Sequence, residues 1–143
     1  MTLPLLRQVD ALLREQREEW PLLRRGEDGL AAARTRTLAV AGVDVLVRHI
    51  PHRAASTTAA VDGASIARRP CFLCAENLDP EERGVPFGED FTIYPNPFPI
   101  VPRHVTIVHR EHRPQRVAGL DGPMLDLAAA LPGLFVIYNG PRC

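Results

Sequence analysis

Apolar positions recur with two different periods along this chain, and the change of period divides it into elements. Leu5, Leu6, Val9, Leu12, Leu13 and Trp20 follow the three-to-four spacing of an amphipathic helix, with Arg14, Glu15, Arg17, Glu18 and Glu19 mainly outside the stripe. Thr2 suits an N-cap and Pro4 a first turn. Pro21 disfavours helical geometry at Trp20, so this N-terminal helix, within residues 1–24, is expected to end there. From Thr35 to Ile50 the period becomes two. The runs 35–40 and 43–50 flank Ala41-Gly42 and read as a hairpin, with His49 and His52 at its exit as ordinary surface or core-edge residues. Residues 54–66 are small, polar and weakly patterned, which reads as a loop. Strands are expected again at 90–94, 105–109 and 134–138, and a helix at 122–131. Five short runs and two long helical stretches predict an α+β fold in which one antiparallel sheet carries both helices on one face.

Between these elements lies the segment 69–115, which concentrates the candidate chemistry. Cys71 and Cys74 stand at C-x-x-C spacing, where two thiolates on one tight turn can grip a metal ion. A redox dithiol uses the same spacing, usually where a strand feeds a helix. Here Arg68-Arg69-Pro70 precedes Cys71, and residues 75–83 offer about one helical turn, so a metal knuckle suits the context better. The stiff Pro95-Asn96-Pro97-Phe98-Pro99 segment cannot pair regularly, because its prolines lack donors and fix φ. It holds an amide beside a flat ring, which suits a nucleobase or sugar; a plain strand crossover fits it equally. Along 105–109 the alternation puts His104, Thr106 and Val108 on one face and Val105, Ile107 and His109 on the other. His112 falls past the strand's end, within reach of the cysteine turn.

Composition narrows the setting. With 143 residues and 45% hydrophobic content, the chain can fill one core, so residues 1–143 are expected to form a single domain. The formal net charge is zero, which points away from nucleic acid. All 17 basic residues are arginine, which excludes Schiff-base and P-loop lysine chemistry from this sequence. No apolar run reaches membrane-spanning length and no signal peptide is visible, so no membrane association is expected. Three cysteines, two of them in C-x-x-C, suit a reducing, cytoplasmic location better than a disulfide framework.

Pro102-Arg103-His104-Val-Thr-Ile-Val-His109-Arg-Glu-His112 resembles the central strand of the histidine-triad superfamily: proline, x, histidine, an apolar strand, polar residues, then a second histidine. With C-x-x-C upstream, it is similar to the zinc-binding branch that contains galactose-1-phosphate uridylyltransferases and dinucleoside-polyphosphate phosphorylases. Arg69-Pro-Cys-Phe-Leu-Cys74, Arg83-Gly-Val-Pro-Phe-Gly88, Asn96-Pro-Phe-Pro99, His112-x-Pro-Gln115 and Tyr138-Asn-Gly-Pro141 extend the likeness to the amino-terminal part of an uncharacterised bacterial family in that branch. The resemblance implies zinc held by Cys71, Cys74 and His112, with a fourth ligand from a downstream His-x-His-x-Gln motif that also supplies the nucleophile for the α-phosphorus. A nucleotide or nucleotide-sugar partner is expected near Asn96, Phe98 and Pro99, and His104 reads as a structural histidine bonding the loop after the cysteines. The activity implied is that of a nucleotidyltransferase or phosphorylase acting on a nucleotide sugar, sugar phosphate or dinucleoside polyphosphate.

The sequence departs from that pattern in having no His-x-His anywhere. No catalytic residue is therefore assigned to it. It reads as the amino-terminal portion of such an enzyme, with a sheet incomplete at its C-terminus. A zinc-stapled binding or structural domain without catalysis is the alternative. His109 with His112 would give C-x-x-C…H-x-x-H, one residue tighter than usual, and His109 points away from the face of His104. An unpaired edge at Leu134–Tyr138 is expected to invite association, leaving room for a homodimer.

Overall fold

A computed structural model describes residues 4–58, 60 and 62–140; the expected cap at Thr2 and the terminal Cys143 lie outside this set. Helix α1 runs Leu5–Glu19 and buries Val9, Leu12 and Leu13 of the expected stripe, together with Gln16, which the apolar spacing does not mark. It ends at Trp20, whose backbone is extended before Pro21. The same proline opens a second helix, α2 (Pro21–Ala31), because its missing N–H costs nothing at a first helical position. Reading Pro21 only as a stop misses this helix. Arg17 joins the two helices through Glu27 at 3.0 Å and Asp28 at 2.6 Å.

Strands β1 (Arg34–Val40) and β2 (Val43–His49) form the expected hairpin, pairing Val40 with Val43 and Arg34 with His49. The turn takes positive φ at both central residues, 49° at Ala41 and 80° at Gly42, matching the twist that two-residue hairpins need. This ribbon is a sheet of its own. A separate antiparallel sheet orders β3 (Val85–Phe87), β4 (Phe91–Pro95) and β5 (Val105–His109). The single five-stranded sheet expected from the pattern is thus two sheets, and the architecture is α+β.

The core joins Val9 and Leu13 of α1 to Ile93 of β4 and to Leu127 and Leu131, at and just after helix α5 (Asp121–Ala130). Val105 and Ile107 pack against it, so both helices cover one face of the β3–β4–β5 sheet, as expected. Leu134–Tyr138 is not a strand. Leu134 and Val136 pack on the core while Phe135 and Ile137 face solvent, but no backbone ladder pairs the segment. Alternation reports which side is buried; strand identity also needs a partner, and none lies beside it among the described residues. The expected loop at 54–66 contains helical turns, α3 (Ala54–Thr57) and α4 (Gly63–Arg68), the second capped by Asp62 accepting from the Ser65 N–H at 2.9 Å. Among the described residues no helix is long and apolar enough to cross a membrane.

Candidate metal centre and adjoining cleft

The cysteine turn is built by local hydrogen bonds. Cys74 donates its N–H to the Cys71 carbonyl at 3.2 Å, and the Asn77 side chain donates to that same carbonyl at 2.9 Å. Asn77 also donates its N–H to the Cys74 carbonyl at 2.8 Å. These bonds orient both half-buried sulfurs to one side. Asn77 was not among the residues singled out by motif; its spacing after Cys74 at the start of a short helical turn (Ala75–Asn77) is the signal that marks it.

From the other direction, β5 delivers His112. Arg110 donates to the Asp90 carbonyl at 2.8 Å, continuing the β4–β5 ladder past the strand, and Glu111 donates its N–H to His109 Nδ1 at 3.0 Å. The tight turn that results swings His112 back, and its Nδ1 lies 3.1 Å from Cys74 Sγ. The ligand atoms of Cys71, Cys74 and His112 all lie within 4.8 Å of one another, so this cluster could bind a metal ion. His109 is not part of it: its ring meets Phe91 edge-on at 5.2 Å. Burial, followed by the neighbouring Cys71, pushes the Cys74 thiol up, so a metal bound there must displace protons.

At the opposite end of β5, about 17 Å of strand away, Pro102, Arg103 and His104 face a cleft of about 550 Å³. Asn96 and Pro99 line it, with Arg48 of the hairpin and Glu27 of α2. The Asn96 side chain accepts from the Phe98 N–H at 2.9 Å and donates to Thr106 Oγ1 at 3.2 Å, so it shapes the proline-rich loop. Phe98 turns aside to stack on His52, at 5.9 Å between ring centres. Pro99 is buried against α2, where a Cβ on Gly26 would sit 2.0 Å from the Pro97 carbonyl oxygen.

His104 has a structural role, but with a different partner from the one expected. Its Nδ1 accepts the Ile100 N–H at 3.2 Å, closing the proline loop rather than the loop after the cysteines. Sequence separation explains the difference, since Ile100 is only four residues away. Burial, then the Arg53 charge, holds the imidazole below its ordinary pKa, which favours the neutral acceptor this bond requires.

Residues 12–143 match the family described as Domain of unknown function (DUF4922), and the chain belongs to that family. No curated protein and no solved structure matches it.

Proposed function

We propose that this member of the DUF4922 family is the zinc-stapled, nucleotide-binding part of a nucleotidyltransferase or phosphorylase of the histidine-triad type, taking a nucleotide sugar, sugar phosphate or dinucleoside polyphosphate. The observation that carries the reading is the arrangement along β5. Cys71, Cys74 and His112 converge past one end, and a cleft walled by Arg48, Arg103, Asn96 and His104 opens at the other.

The donor set fits zinc. A tetrahedral ion with bonds of about 2.1–2.3 Å spaces its nitrogen and sulfur ligands by about 3.5–3.8 Å. The 3.1 Å between Cys74 Sγ and His112 Nδ1 requires only a small spreading to meet that. Zinc held there would fix the cysteine turn to the end of β5, and its distance from the cleft makes it a staple. The chain's own residues then serve binding. Arg103, ion-paired with Asp10 at 2.6 Å, brings positive charge to the cleft for phosphate oxygens, and the proline loop, held by Asn96 and His104, supplies a pre-shaped apolar wall with little entropy left to lose.

In the enzymes it resembles, covalent transfer belongs to a His-x-His motif, and this sequence has none. A second reading is a domain that binds nucleotide without turning it over. Calorimetric titration of the whole chain with nucleoside diphosphates and nucleotide sugars tests the shared claim. Binding is expected, weakened about tenfold or more by Arg103→Ala, as loss of one charged contact implies. Absence of binding at millimolar nucleotide would overturn the proposal. Release of nucleoside monophosphate by this chain would reject the second reading.

A further inference from the structure

The hairpin carries an unused surface. Leu38, Val40, Val43, Val45 and Val47 share one face by the pairing register and are all exposed, Val43 at 64%. The opposite face looks towards the body, where Arg48 donates to the Ile100 carbonyl at 2.7 Å. The ribbon has two strands, and among the described residues no backbone hydrogen bond joins 34–49 to anything beyond the hairpin. Two strands alone are marginal in water.

Val40 and Val43 close the two-residue turn, so they exchange hydrogen bonds, and every second pair after them does the same. On β2, Val43, Val45 and Val47 therefore aim their N–H and C=O groups at β1. Asp44, Leu46 and Arg48 aim theirs outward, along an edge that is exposed at all three residues. Read about Leu46, the strand Val43-Asp-Val-Leu-Val-Arg-His49 is a palindrome in chemistry: valine flanks leucine on both sides, and aspartate answers arginine.

We propose that this edge pairs with the same edge of a second copy, antiparallel about Leu46, joining two hairpins into one four-stranded sheet. The register sets Leu46 opposite the partner's Leu46 and Val45 opposite the partner's Val47. It sets Asp44 opposite the partner's Arg48, twice by symmetry, with the Arg48 guanidinium leaving the Ile100 carbonyl to meet the carboxylate. Those residues are the ones whose backbone groups point outward, so the two-fold pairing satisfies the free N–H and C=O groups of Asp44, Leu46 and Arg48 on each chain. The other edge does not offer this. Centred on Thr37, β1 would set arginine against leucine and valine with no opposite charge. An isologous contact of this kind closes at two copies, so it yields a dimer and not a fibre.

Sedimentation velocity on the whole chain at tens of micromolar tests the register through charge. Wild type is expected as a dimer. Asp44→Arg places like charges opposite each other twice, and Arg48→Asp does the same with acids, so each variant alone is expected to dissociate, its Kd raised about tenfold or more. Mixed in equal amounts, the two variants regain complementarity and are expected to form a heterodimer. Circular dichroism of each variant checks that the loss is not unfolding. A monomeric wild type, an undiminished Asp44→Arg dimer, or a mixture of folded variants that stays monomeric would each overturn the proposal.

Discussion

Gln16 is fully buried, and both ends of its side-chain amide are engaged: Nε2 donates to the Glu81 carbonyl at 3.0 Å and Oε1 accepts the Arg83 N–H at 2.7 Å. This clamp fixes the backbone on both sides of Glu82, whose carboxyl is held in a half-buried position. Burial first, then the Asp79 charge, raises its pKa from an ordinary 4.5 to about 7. The folded state therefore keeps a proton that the unfolded chain releases above pH 4.5. Stability contributed by this group is full below about 4.5 and is lost as pH rises through 7. Discounted for partial solvent screening, the loss is about 1 kcal/mol. Glu82→Gln is expected to raise the melting temperature at pH 8 and leave it nearly unchanged at pH 4; an equal change at both would show that Glu82 is not titrating. Gln16 was visible in the sequence only as a polar residue on the apolar stripe, four after Leu12 and three after Leu13. Its partners, more than sixty residues away, were not.

Elements were legible where their pattern is local. The first helix, the hairpin, β4, β5 and α5 all lie close to their expected bounds, because period and turn residues determine them. Helix α2 was hidden by Pro21, which ends one helix and begins another. Its packing rests on Gly26, where the backbone approaches the Pro97 carbonyl too closely for any side chain. Gly26→Ala should therefore cost about 1–2 kcal/mol, strain outweighing the usual gain of alanine over glycine in a helix. Gly122, in the first turn of α5, meets nothing within 4 Å of a built Cβ, and Gly122→Ala should stabilise by up to about 1 kcal/mol. Thermal melts of the two variants check the opposite signs. Matching shifts would mean that propensity alone governs both sites.

At the scale of the whole molecule, the α+β class was readable but the division into two sheets was not. Periodicity shows that a run can pair without showing with what, and Ala41-Gly42 commits the hairpin to itself before any long-range pairing is decided. The candidate site was legible for a different reason. Cys71 and Cys74 announce themselves by spacing, and His112 by its place just past an apolar strand, while Asn77 and the ladder from Arg110 to Asp90 complete the geometry. One metal ion held by those three side chains is the claim on which the functional reading depends. Metal analysis of the freshly purified chain, alongside Cys71→Ser, tests it most directly. The expected result is near-stoichiometric zinc in the wild type, its loss in Cys71→Ser, and a lower melting temperature to match. Metal-free wild-type protein in which the thiols of Cys71 and Cys74 react freely with a thiol reagent would contradict it.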